Sequence, residues 1–224
     1  MNQVTTMSAV LRSTNAPKRS FGTGPNQFSG PRGGKQGAAS VALWLFIMVA
    51  SALFALFITA YTMRMSQADW FSIALPWQLW LSTVLLMAGS SLLQWSNAAA
   101  RNADWRNAHR LFLAGGVCAL VFLVSQLWGW QNLLAAHVMP SGNPAASFFY
   151  LLTAMHGLHV TGGVLAWGLT GRRIAHTNPD NAGFAWRAAL CARYWHFLLA
   201  VWVVLFAVLG CLTPDMARFI CGVK

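Results

Sequence analysis

Five apolar stretches, each long enough to cross a lipid bilayer as a helix, dominate this sequence. They cover residues 41–63, 76–95, 111–134, 145–169 and 189–212. A helix needs about 20 apolar residues to cross about 30 Å of hydrocarbon, and only helices and closed barrels satisfy their backbone there. We therefore predict an all-α integral membrane protein, a five-transmembrane-helix bundle that occupies residues 40–213.

Charged residues are scarce, which excludes several classes of function. They make up 8% of the chain, whereas a soluble domain carries about 25%. The net charge of +11 arises because only four Asp and no Glu oppose fifteen basic residues. Most of the arginines flank apolar stretches, so we predict contact with anionic lipid headgroups and no binding of nucleic acid.

The two ends of the chain differ from the predicted membrane domain. Residues 1–39 form a polar, basic arm that cannot bury a core, and we expect it to be disordered or extended. It lacks the early apolar core of a signal peptide. The arm could serve as a cytoplasmic tail, or it could lie along a partner subunit or anionic lipid. Residues 214–224 form a short outer tail.

Basic residues also predict the orientation. They concentrate in the arm and in the second-to-third and fourth-to-fifth connections. The positive-inside rule then places the N-terminus in the cytoplasm and the C-terminus outside. On an oxidising outer side Cys211 and Cys221 could pair, whereas Cys118 and Cys191 should be reduced, packed thiols. No cysteine and histidine spacing indicates zinc.

Histidines are the only candidates for chemistry inside the spans, since no Asp or Glu lies within any of the five. That absence argues against a proton-coupled transporter working alone. His156 and His159 point to the same side of one helix, and His196 lies in the last span. They could bond to neighbouring helices or lipid, or His196 could hold a haem together with one of the others. Glycines beside the first pair should let another helix approach: Gly157, Gly162 and Gly163.

Two motifs resemble a known family. Residues 149–163 read FYLLTAMHGLHVTGG and residues 194–197 read YWHF. Both resemble signatures of subunit III of haem–copper terminal oxidases, here in the five-helix bacterial form. The resemblance implies a chain of the bacterial inner membrane in a complex with subunits I and II. Such a chain packs on subunit I, binds phospholipid, and supports the stability and proton uptake of the catalytic subunit. It implies no catalytic centre, haem or copper on this chain, because haem and copper belong to the partner subunits.

Under that resemblance six residues are expected to make lipid or inter-helix contacts, with no catalytic and no metal-binding residue. They are His156, His159, His196, Trp195, Tyr194 and Arg193. Arg193 could hold a phosphate or an acidic group of subunit I. The alternatives are a haem-binding, cytochrome b-like electron carrier and an accessory subunit of nitric oxide reductase.

The sequence also departs from the family pattern at three positions. The family often carries acids where Ala50, Gly129 and Leu199 stand. A role of those carboxylates in proton uptake cannot be transferred to this chain.

Overall fold

The fold was obtained as a computed structural model, which describes residues 31–65, 67, 70, 76–139, 142–176, 182–212 and 216. It contains five α-helices and, within those ranges, no strand. They are α1 (Pro31–Met65), α2 (Gln78–Arg101), α3 (Trp105–Ala135), α4 (Pro144–His176) and α5 (Ala182–Cys211). The predicted all-helical fold is confirmed.

Four of these helices are long and apolar enough to cross a membrane, as far as the described residues reach. They are α1, α3, α4 and α5. Helix α2 lies where the second span was predicted, but glutamine, serine and asparagine residues lower its mean hydropathy. Two buried serines of α2, Ser82 and Ser96, make hydrogen bonds to α3, so these polar side chains are paired inside the protein. That α2 also spans the bilayer stays a prediction.

The predicted ends of the chain lie mostly outside the described residues. Of the arm, residues 1–30 are not described, and α1 begins at Pro31 within its last part. The chain divides into a unit of Met1–Gly37 and a unit of Ala38–Lys224. Of the outer tail only Met216 is described, and Cys221 is not, so its pairing with Cys211 stays a prediction.

The closest helix pair is α2 with α3, which a tight turn connects. Asp104 caps α3 by accepting from the backbone N–H of Asn107, while Ala103 adopts a left-handed φ of 58°. Where the helices cross, a Cβ on Gly89 would lie 3.3 Å from the carbonyl oxygen of Gly115. Small residues at such crossings bring backbones together and increase van der Waals contact in lipid.

A second close approach joins α3 to α4. The indole of Trp167 lies over Gly116 so closely that a Cβ there would sit 1.9 Å from Cε2 of that indole. The indole Nε1–H donates to the carbonyl oxygen of Phe112 at 2.8 Å. This hydrogen bond holds the indole ring in the groove that Gly116 opens between α3 and α4.

Helix α1 packs differently, because it meets the bundle through long side chains. Phe54, Tyr61 and Met65 are buried against Leu152 of α4 and Leu205 of α5. Most other large side chains of α1 are exposed, which in a membrane means that they face lipid or another protein. They include Trp44, Leu45, Met48, Val49, Leu56 and Met63.

Candidate functional site: histidines and their neighbours at the centre of the bundle

His156 occupies the centre of the bundle, where four helices meet. Its side chain is 1% exposed. Three rings from three other helices surround the imidazole, with centroids 5.1 Å (Trp202), 5.8 Å (Phe122) and 6.3 Å (Phe54) away. Neither ring nitrogen has a hydrogen-bond partner among the described residues. The expectation that an intramembrane imidazole bonds to a neighbouring helix is therefore not met by His156 in the described part of the chain.

His159, one turn further along α4, makes its hydrogen bond within its own helix. Its Nδ1 lies 2.7 Å from the carbonyl oxygen of Met155. The ring packs against Phe54 at 5.2 Å and Phe46 at 5.7 Å. Phe54 thus contacts both imidazoles, so the shared side predicted for the two histidines is the side that faces α1.

The YWHF motif on α5 distributes its side chains around the helix. Tyr194 donates its hydroxyl to the carbonyl oxygen of His159 at 2.9 Å. Trp195 is buried, and its indole nitrogen has no partner among the described residues. His196 lies on the outer surface beside α2, and Arg193 is exposed. Tyr194 and Trp195 therefore serve packing inside the chain, whereas His196 and Arg193 face outward.

Hydrogen bonds between α2 and α5 form a seam. The Nδ1 of His196 lies 2.6 Å from the hydroxyl of Ser90, and its Nε2 lies 3.2 Å from Oε1 of Gln94. An amide oxygen can only accept, so Nε2 donates to Gln94, and in a neutral ring Nδ1 accepts from Ser90. Further along the seam, the indole of Trp202 donates to the hydroxyl of Thr83 at 2.9 Å.

The glycine expectation is only partly met. A Cβ on Gly163 would lie 3.0 Å from Cε1 of Tyr194, so this glycine does allow α5 to approach α4. A Cβ on Gly157 or Gly162 would have nothing within 4 Å. For these two glycines the expected approach of another helix is wrong within the described chain. Periodicity places a glycine on a helix, but it does not say which side carries a neighbour.

Polar residues within α2 and α3 differ in their hydrogen-bond partners. Ser90 bonds to α5, and Gln126 of α3 donates to the hydroxyl of Ser82 of α2 at 2.7 Å. Ser91 instead bonds back to the carbonyl oxygen of Met87 in its own helix. Sequence reasoning missed Gln94, although its position one helical turn after Ser90 was an available signal.

Two of the three positions where the family often carries acids, Ala50 and Gly129, are buried here. Ala50 is 2% exposed on the buried side of α1, one turn before Phe54. A Cβ on Gly129 would meet Cβ of Gln78 at 3.6 Å, and Leu199 packs against the main core. Carboxylates at these places would need new polar partners.

The arrangement of the histidines disfavours the haem alternative. Two axial imidazoles must face each other across a slot as wide as the porphyrin. His156 is instead enclosed by rings, and both nitrogens of His196 contact α2. Nor do three or more His, Cys, Asp or Glu side chains gather into a metal-binding group anywhere in the described ranges.

Comparison with known proteins decides the family. Residues 38–211 match the family described as cytochrome c oxidase subunit III. The chain belongs to that family. It is 32% identical over 127 residues to a probable cytochrome c oxidase subunit 3 of Mycobacterium tuberculosis, covering 57% of this chain and 62% of that relative. It is 29% identical over 217 residues to cytochrome c oxidase subunit 3 of Synechocystis, covering 91% of this chain and 84% of that relative.

The extent of these matches varies between relatives. The matched region spans less than two thirds of the length of the mycobacterial proteins. A cytochrome c oxidase subunit 3 of Corynebacterium diphtheriae is 26% identical over 164 residues, which cover 79% of it. The family that the two motifs resemble is thus confirmed by the comparison, and the membrane protein predicted from the apolar stretches is confirmed by the long apolar helices.

Proposed function

We propose that this chain is the non-catalytic third subunit of a bacterial terminal oxidase that reduces oxygen to water and pumps protons. The observation that carries the proposal is the family match over residues 38–211, which covers α1 from residue 38 and the other four helices in full. The rings of His156 and His159 pack against aromatic side chains of this same chain, which supports a non-catalytic role for them. Haem and copper chemistry belongs to subunits I and II.

In this proposal the chain packs on subunit I, binds phospholipid and stabilises the catalytic subunit. Support comes from the surface of α1, where Trp44, Met48 and Leu56 are each more than half exposed. Large apolar side chains on a membrane helix must be covered by lipid or by another apolar helix. The complex lies in the cytoplasmic membrane with the N-terminus of this chain inside, as the distribution of arginines suggests.

The test is purification of the tagged chain from its native membrane, followed by identification of co-purifying proteins and a visible spectrum. We expect two larger subunits and a haem spectrum that leaves with them when this chain is isolated. A Soret band that stays with the isolated chain would overturn the proposal in favour of a cytochrome.

Two further readouts define the role. Co-purification with the subunits of a nitric oxide reductase would assign the chain to that complex instead. Oxygen consumption per haem, followed over successive turnovers with and without this chain, reports its stabilising role. We expect the complex without it to lose activity sooner.

A further inference from the structure

We propose that a water molecule is bound between α2 and α3, in the space that Gly129 leaves beside the amide of Gln78. The site is separate from the histidines at the centre of the bundle and goes beyond the proposed role of the chain as a subunit. Two observations carry it: a buried oxygen without a donor, and an open space at a buried glycine.

The oxygen without a donor belongs to Gln78, the first residue of α2. The side chain is 2% exposed, and its Oε1 has no hydrogen-bond partner among the described residues. Leaving a buried acceptor unpaired costs free energy, and buried polar atoms are as a rule paired with protein groups or with ordered water. Oε1 of Gln78 therefore needs a donor that the described side chains do not supply.

The open space lies opposite, at Gly129 of α3. A Cβ on this buried glycine would have one neighbour within 4 Å outside its own helix, Cβ of Gln78 at 3.6 Å. At Gly89 and Gly115, where the same two helices cross, an added Cβ would stand 3.2 and 2.8 Å from its nearest neighbour. The helices thus touch at those glycines but leave room at Gly129. Three bonds separate Cβ of Gln78 from Oε1, so a small ligand in this room can reach the oxygen.

Contacts beside the space hold the two helices at this separation. One helical turn away, the hydroxyl oxygens of Ser82 and Ser125 lie 2.9 Å apart. On the exposed side, the rings of Trp77 and Trp128 meet edge to face with centroids 5.4 Å apart. Helix α2 cannot move closer to Gly129 without compressing these contacts, so the space stays open in the folded chain.

The protons of the neighbouring side chains already have acceptors. Ser82 and Ser125 carry one hydroxyl proton each, and the carbonyl oxygens of Gln78 and Phe122 lie 2.8 Å from those hydroxyls. Nε2 of Gln126 donates to Ser82 at 2.7 Å. None of these residues is charged, so the ligand that fits is a small neutral donor. Water meets this requirement, and the serine hydroxyl oxygens offer an acceptor for its second proton.

The first test is a density map of the wild-type chain in its native complex, at a resolution that shows ordered water. We expect a separate peak about 2.7–3.2 Å from Oε1 of Gln78, on the side of Gly129. A map that shows other buried waters but no peak here would overturn the proposal. So would density at this place that continues into a side chain.

The second test is a double-variant cycle, measured by unfolding the purified full chain. G129A puts a methyl group into the space, and Q78M replaces the amide with an apolar side chain of similar length. Expelling the water leaves an unpaired oxygen only when Gln78 is present. We therefore expect G129A to raise the equilibrium constant of unfolding about tenfold more in the wild type than in the Q78M background.

The control is G157A on α4, whose new Cβ would meet nothing within 4 Å. It should have the same effect in both backgrounds. An equal effect of G129A in both backgrounds would contradict the proposal. A larger effect in Q78M would also contradict it, because the methyl group would then collide with the side chain at position 78 instead of displacing water. If G129A does not fold, the density map of the wild type decides.

Discussion

Replacement of Gly116 by alanine should destabilise the bundle, although alanine is the better helix former. The new Cβ would stand 1.9, 2.3 and 2.4 Å from three atoms of the Trp167 indole. Carbon atoms in contact prefer about 3.5–4.0 Å, so the ring must retreat by roughly 1.5–2 Å. Such a shift takes its Nε1–H beyond hydrogen-bond distance of the Phe112 carbonyl, now 2.8 Å away.

The size of the effect follows from three terms. Overpacking costs about 1–3 kcal/mol, and the lost hydrogen bond costs about 0.6 kcal/mol in a membrane. The higher helix propensity of alanine returns about 1 kcal/mol. We therefore expect G116A to lower the free energy of unfolding by about 0.6–2.6 kcal/mol.

The assay is reversible unfolding of the purified chain in mixed micelles as the fraction of sodium dodecyl sulfate rises, followed by circular dichroism. Matched controls are G157A and G162A, whose new Cβ atoms meet nothing within 4 Å. These should be neutral or slightly stabilising. In the background of W167L, G116A should cost much less than in the wild type. A G116A protein as stable as G157A would refute the close approach of α3 and α4.

Further predictions concern the centre of the bundle. H156L should change stability by less than about 1 kcal/mol or increase it, because both ring nitrogens lack partners among the described residues; a loss above about 2 kcal/mol in the same assay would reveal a partner. T83V should cost about 0.6 kcal/mol, W202F should cost more because it also removes part of a buried ring, and the double variant should cost less than their sum, because the two share one hydrogen bond. G163A should destabilise more than G162A, since its Cβ must displace the ring of Tyr194.

The helices could be predicted from the sequence because lipid requires long apolar helices. Their ends could not, since hydropathy marks only the part that lies in hydrocarbon. Helix α3 was predicted to begin at residue 111, whereas it begins at Trp105, directly after its Asp104 cap. The capping side chain and the charged first turn belong to the water interface, which the hydropathy pattern does not report.

The site was predictable in part. The spacing of His156 and His159 placed both imidazoles on one side of α4, and Phe54 contacts both. The enclosure of His156 by Phe122 and Trp202 was not predictable, because it depends on how α3 and α5 are placed around α4. The periodicity of one helix gives the direction in which each of its side chains points. Which residues that side chain meets depends on how all the helices pack together.

The close pairing of α2 with α3, which cross at Gly89 and Gly115, has a consequence for the order in which the helices assemble. These helices are neighbours in sequence and joined by a three-residue turn, so closing the loop between them costs little chain entropy. The bond from Trp202 to Thr83 instead connects residues 119 positions apart. The α2–α3 hairpin can therefore form while the rest of the chain is still being synthesised, and α5 later docks on a surface that is already in place.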